Sequence, residues 1–134
     1  MVQALLDNGA EVNAKDIDGV TALMRASQHG QLEVVQALLA RGAEINAKTD
    51  NGVTALITAS QNGQLEVVQA LLDKGAEVNA KTNDGATALF AASQKGHRDV
   101  VQALLAKGAE VNAKESQTVA KSPSGDFMRD YRVF

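Results

Sequence analysis

The stretch VQALLDNGAEVNAK, residues 2–15, occurs four times in this chain with few changes. It returns as VQALLARGAEINAK at residues 35–48, as VQALLDKGAEVNAK at 68–81 and as VQALLAKGAEVNAK at 101–114. The four starts, 2, 35, 68 and 101, are spaced 33 residues apart. A fixed period of roughly 20 to 50 residues is the signature of a solenoid, in which similar units stack in a row. The stretch therefore predicts a repeat array.

Each complete unit opens with an acidic or amide residue followed by glycine. These pairs are Asp18-Gly19, Asn51-Gly52 and Asp84-Gly85. They favour a tight turn, because glycine accepts positive φ and Asp or Asn can bond its own backbone. A threonine suited to cap a helix follows, at Thr21, Thr54 and Thr87. A short first helix is predicted to end at the next glycine of each unit, which is Gly30, Gly63 or Gly96.

The second helix of a unit is longer and carries an apolar stripe. In the first complete unit Val34, Val35, Leu38 and Leu39 recur at i, i+1, i+4 and i+5, which is helical spacing. Gly42 ends this helix, and a loop leads to the next turn. One unit buries too little apolar surface to fold alone, so the units are expected to cover one another.

Composition limits the class of protein. The chain has 134 residues, 45% of them hydrophobic and only 3% aromatic, so its core must be mainly aliphatic. It has no cysteine, which excludes disulfides and thiolate metal sites. A net charge of −3 gives no general attraction to phosphate, so nucleic acid is not an expected partner. No apolar run could span a membrane and no signal peptide is recognisable, which predicts a cytoplasmic protein that does not bind membranes.

A family resemblance follows from three consecutive patterns. D-G-V-T-A-L, then A-S-Q-x-G-Q-L-E-V-V-Q-A-L-L, then G-A-E-V-N-A-K resembles the ankyrin repeat over roughly residues 2–115. The resemblance implies an all-α fold, a solenoid of stacked helix-turn-helix units with β-turn or hairpin loops. The T-P-L-H usual in that family reads TALM, TALI and TALF here. The residues in place of the proline are Ala22, Ala55 and Ala88, and those in place of the histidine are Met24, Ile57 and Phe90.

The period divides the chain. We expect a half unit at residues 1–16 and three complete units, unit 1 (17–49), unit 2 (50–82) and unit 3 (83–115). A compositionally different tail occupies residues 116–134.

Both ends of the array raise the question of what covers them. At the N-terminal end Val2, Leu5 and Leu6 keep the apolar pattern of the repeat, which indicates an uncapped end. In the tail Phe127, Met128, Tyr131 and Phe134 fall at i, i+1, i+4 and i+7, which predicts a short helix at 126–134 with one apolar face. The tail either folds back over the last unit, docks on a neighbouring molecule, or is a disordered extension. Self-association through the uncapped ends or the tail is therefore one hypothesis.

Stacking places equivalent polar residues side by side. The acidic ladder is Glu11, Glu44, Glu77 and Glu110, and the basic ladder is Lys15, Lys48, Lys81 and Lys114. We interpret them as a solvated, mutually compensating surface, the alternative being a charged docking stripe. A third ladder is expected to bond backbone in the loops, and consists of Asn13, Asn46, Asn79 and Asn112.

Catalysis is not expected. His29 and His97 occupy different places in their units, and Ser27 and His29, two residues apart on a helix, do not face each other. No metal-binding or phosphate-binding motif is present, so neither a cofactor nor a metal is predicted.

The complete units differ from one another mainly at the turn and along the first helix. The resemblance implies that turn tips and first helices line a concave face that binds a partner. The candidate contacts are Ile17, Asp18, Val20, Arg25, Gln28, His29, Asp50, Asn51, Val53, Thr58, Gln61, Asn62, Asn83, Asp84, Ala86, Phe90, Ala91, Gln94 and Lys95. Neutral drift at exposed positions is the alternative interpretation. Met24, Ile57 and Phe90 are expected to pack between units, and Phe90, the one aromatic residue of the array, is the best candidate contact among them.

These observations predict a non-catalytic module that binds a protein partner through the concave face. The alternatives are a structural spacer or a fragment of a longer array with no partner of its own, or a consensus-like artificial scaffold.

Overall fold

The computed structural model describes residues 11–111, which form six α-helices in three pairs and contain no strand within that range. The helices are α1 (Ala22–Gln28), α2 (Leu32–Ala40), α3 (Ala55–Gln61), α4 (Leu65–Asp73), α5 (Ala88–Gln94) and α6 (Arg98–Ala106). The predicted all-α repeat solenoid is confirmed. Residues 1–10 of the half unit and the tail at 116–134, with its predicted helix at 126–134, lie outside the described residues.

The first helix of each unit begins at its threonine, as the sequence predicts. The hydroxyls of Thr21 and Thr54 accept hydrogen bonds from the backbone N–H of Met24 (3.3 Å) and Ile57 (3.2 Å), and Thr87 caps α5 in the same way. At Thr21 the cap is reciprocal, since the Met24 sulfur accepts from the Thr21 N–H at 3.4 Å. These bonds satisfy amides that a helix start otherwise leaves without a partner.

The turn between the helices of a unit depends on glycine. Gly63 has φ +70°, a conformation that residues with a Cβ rarely adopt. A Cβ at this position would also lie 2.7 Å from the ring of His97 in the next unit. Gly63 thus turns the chain and leaves room for its neighbour.

The units stack helix on helix. α1 packs against α3 and α3 against α5, while α2 packs against α4 and α4 against α6. The second helices bury Leu38, Leu71 and Leu104, each at most 1% exposed, in the middle of the stack. Met24 and Ile57 belong to the same core at 3% and 4% exposure, which confirms that they pack between units.

The asparagine ladder joins one unit to the next. The Asn13 side-chain oxygen accepts from the Glu44 N–H at 2.7 Å, and Asn46 does the same for the Glu77 N–H at 2.8 Å. Asn79 repeats the bond to the next unit. The predicted bonding to loop backbone is therefore confirmed, and its partners lie in the following unit. Asn112 lies outside the described residues.

The charged ladders are solvated, as predicted, within the described part of the chain. Their side chains at Glu44, Glu77, Lys48 and Lys81 are exposed. An ion pair crosses between second helices instead, where the Lys107 ammonium lies 3.6 Å from an oxygen of Asp73. Both partners are largely exposed, so this pair adds little to stability.

Candidate functional site

The turn tips are built by side chains that bond their own backbone. The carboxylate of Asp16 accepts from the N–H groups of Asp18 and Val20, both at 2.9 Å. At the tip of unit 2 the hydroxyl of Thr49, the last residue of unit 1, takes the same place and accepts from Asn51 and Val53 at 3.2 and 3.1 Å. A carboxylate and a hydroxyl thus close the same turn, since each offers an oxygen to the same pair of amides.

Neighbouring tips are bonded to each other. The Asp50 N–H donates to the Asp18 carbonyl at 3.0 Å, and the Asn83 N–H donates to the Asn51 carbonyl at 2.9 Å. The Asn83 side chain adds a bond to the Asp50 carbonyl at 3.0 Å. The three tips therefore form one connected edge of the molecule.

Electrostatics at the first tip favour an ionised carboxylate. The hydrogen bond from the Val20 N–H has the largest effect and lowers the pKa of Asp16. Desolvation opposes it, while the hydrogen bond from the Asp18 N–H and the nearby Arg25 guanidinium lower the pKa further. The Arg25 guanidinium lies 3.6 Å from the Asp16 carboxylate, and both side chains are substantially exposed. Arg25 is therefore held over the tip of its own unit.

A groove of about 600 Å³ lies between the tips and first helices of units 1 and 2; we call it the tip groove. Unit 1 contributes Asp18, Val20, Met24, Arg25, Gln28 and Thr49, and unit 2 contributes Asp50, Asn51, Val53, Thr58, Gln61 and Asn62. Its exposed residues are polar or charged, while Val20 and Val53 are half-buried and Met24 is buried. The groove can accept a side chain that is polar at its end and apolar along its stem.

The structure brings together many of the predicted contact residues. Every residue that lines the tip groove, apart from Met24 and Thr49, is a predicted contact. The remaining candidates in these two units, Ile17 and His29, are exposed, Ile17 at 93%. They lie outside the groove lining.

The candidates of unit 3 lie apart from the tip groove. Within this set Asn83, Asp84, Gln94 and Lys95 are exposed, and Ala86 and Phe90 are half-buried. Ala91 is only 8% exposed, so the structure corrects its place among the predicted contacts: its side chain offers a partner almost no surface. Arg25 and Thr58, at the equivalent position, are more exposed than Ala91.

Sequence reasoning missed two residues that connect the first helices. The Gln64 amide donates to the Gln28 carbonyl at 3.1 Å, and His97 Nε2 lies 3.0 Å from the Gln61 carbonyl, to which it donates. Both side chains extend over the glycine that ends a first helix of the previous unit, at Gly30 and Gly63. The sequence did offer a signal for these two residues, because Gln64 and His97 each directly follow the glycine after the first helix of their own unit.

Residues 11–111 hold no group of three or more His, Cys, Asp or Glu side chains placed to bind a metal ion. Over the same residues, no helix has the length and hydropathy needed to cross a membrane. The feature that residues 11–111 do present is the tip groove, whose exposed lining residues are polar or charged.

A family model described as "Ankyrin repeats (3 copies)" matches residues 1–49 and 44–115. The matched residues make up most of the chain, and the helix pairs stack as such repeats require. The protein belongs to the ankyrin-repeat family.

Proposed function

We propose that this chain is a non-catalytic module that binds a protein partner through the tip groove. Ankyrin repeats are generally protein–protein interaction modules. The observation that supports this particular surface is the groove itself, which gathers residues that differ between units onto one face. The cytoplasmic location of the protein stays a prediction.

Pre-organisation supports the proposal. The tips are tied by the Asp50–Asp18 and Asn83–Asn51 backbone bonds, and the first helices are tied by Gln64. A surface already fixed in this way loses little conformational freedom when a partner binds, so more of the contact energy appears as affinity.

The chemistry of the groove indicates the kind of contact. Asp18 and Asp50 are exposed carboxylates at its rim, and Arg25 is engaged by Asp16. Half-buried Val20 and Val53 give apolar surface beside them. A basic or amide side chain with an apolar stem, presented by a folded partner, would satisfy both parts.

The experiment compares three forms of the chain as immobilised bait in a cell extract: wild type, a groove variant and a control variant. The groove variant carries Asp50→Arg and Asn62→Arg, both at exposed lining positions. The control carries Glu66→Arg and Gln69→Arg, which change charge by the same amount on the exposed side of α4. Proteins retained by wild type are identified, and the affinity of each is measured against all three forms.

We expect the groove variant to lose about tenfold or more in affinity, because desolvated contacts at the centre of an interface carry most of its energy. The control should bind as wild type does. Equal binding by all three forms, with circular dichroism showing intact helices, would contradict the assignment of the tip groove.

A further inference from the structure

The three units expose the same positions to different degrees. Four residues of unit 3, Phe90, Ser93, Val101 and Leu105, form what we call the end face. Leu105 is 42% exposed, and the other three are half-buried.

The equivalents of these residues are better covered in units 1 and 2. Ile57 is 4% exposed, Ser60 and Val68 are 0% exposed, and Leu72 is 8% exposed. The equivalent residues of unit 1 are buried as well, since Met24 is 3% exposed and Ser27 and Val35 are 0% exposed.

The difference arises from stacking, since the local sequence pattern is the same. α5 packs on α3 and α6 packs on α4, so unit 3 covers the face of unit 2 that corresponds to the end face. Among residues 11–111 no helix packs on α5 and α6 from the other side. Apolar surface of this kind is costly in water, so covering it is favourable.

The chain itself contains a segment suited to this face. The described residues end at Val111, which is 72% exposed, and 23 further residues follow, since 134 − 111 is 23. The linker from Val111 to Phe127 can extend by roughly 3.3 Å per residue, whereas the next layer of a helical stack lies only about 8–10 Å away. The linker is therefore long enough for residues 126–134 to reach the end face.

The composition of that segment matches the surface. Three of the four aromatic residues of the chain lie in this segment. The spacing of Phe127, Met128, Tyr131 and Phe134 would place them on one side of a helix. A tethered segment meets its site at an effective concentration in the millimolar range, well above that of a second copy in dilute solution. The tail is therefore favoured over a second molecule as the occupant.

We propose that residues 126–134 dock on the end face and cover the exposed end of the stack. The docked segment would take the place that a further unit has elsewhere in the array.

The chain contains no cysteine, so a single introduced thiol reports on the end face alone. Ser93→Cys places this thiol on the face, and its alkylation by a maleimide is timed in the full-length chain. The same measurement is made after adding Phe127→Asp and Tyr131→Asp. A matched control adds Ser122→Asp and Ser124→Asp, which bring the same charge into the tail outside its apolar positions. Gln69→Cys, on the exposed side of α4, serves as a reference thiol.

We expect Phe127→Asp with Tyr131→Asp to speed alkylation at position 93 about tenfold or more. The maleimide could then reach the thiol without prior opening of the docked segment. The serine control and the reference thiol should keep their rates. Equal rates at position 93 with and without the Phe127 and Tyr131 changes would overturn the proposal. Protection that rises with protein concentration, together with a doubled mass in light scattering, would also overturn it and assign the end face to a second copy.

Discussion

Leu71→Ala tests the central physical claim, that each unit is stable because its neighbours cover it. Leu71 lies on α4 in the middle unit and is 0% exposed. α4 packs against α2 on one side and α6 on the other, so both adjacent units contribute to its surroundings.

The magnitude follows from that position. Removing a buried leucine side chain loses its transfer free energy and leaves a cavity, and together these cost about 2–5 kcal/mol. Packed helices on both sides restrict relaxation into the cavity, so we expect a loss of about 3–5 kcal/mol in the free energy of unfolding.

Urea denaturation followed by circular dichroism measures this loss. Ile17→Ala is the matched control, since an aliphatic side chain of the same size is removed at a position that is 93% exposed. It should cost less than half as much as Leu71→Ala. Lys81→Ala, at an exposed loop position, should change stability by no more than about 0.5 kcal/mol. Comparable losses for Leu71 and Lys81 would refute the claim that stacking sets the burial.

Further predictions concern four individual positions. Gly96→Ala should cost about 1–2 kcal/mol, because its φ of +75° disfavours a Cβ even though no atom lies within 4 Å of one. Gly63→Ala should cost about 1 kcal/mol more, because the added Cβ also displaces the His97 ring and its hydrogen bond; equal losses in urea would contradict this. Ser60→Ala should leave stability unchanged or raise it by about 1 kcal/mol, since the buried hydroxyl has no hydrogen-bond partner, and a clear drop in Tm would contradict this. Folding lowers the pKa of Asp16, so its contribution to stability is present above the pKa of the unfolded chain and disappears as pH falls through the lower folded value. Asp16→Asn should therefore weaken the acid dependence of Tm, and an unchanged profile would argue against the tip hydrogen bonds.

The sequence was sufficient for the features that depend on local pattern. The threonines start the first helices because a hydroxyl three residues before an amide can cap it in any unit that repeats the spacing. The burial of Leu38, Leu71 and Leu104 follows from helical periodicity combined with stacking.

Features that depend on how units meet could be predicted only in part. The asparagines were expected to bond loop backbone, but the choice of the following unit depends on how far the loops are offset between layers. The bonds made by Gln64 and His97 depend on the same offset.

The candidate site shows the same division. Variation between units identified most of the residues that line the tip groove, yet it could not separate Ala91 from Arg25 and Thr58, its more exposed equivalents. Burial at that position is decided by the surrounding layers, which the comparison of repeats does not contain.

The spacing of the bonds between units has a consequence for how long such a chain can be. Donor and acceptor are separated by 31 residues in the asparagine bonds and by 36 in the bonds of Gln64 and His97, so each bond spans adjacent units only. If residues 50–82 were excised, His97 would meet the Gln28 carbonyl in place of Gln64. Insertion of another copy of the same unit would replace the bonds of one junction with those of two equivalent junctions, a net gain of one set. The number of units is therefore free to change by whole periods during gene duplication or loss, while every junction keeps its chemistry.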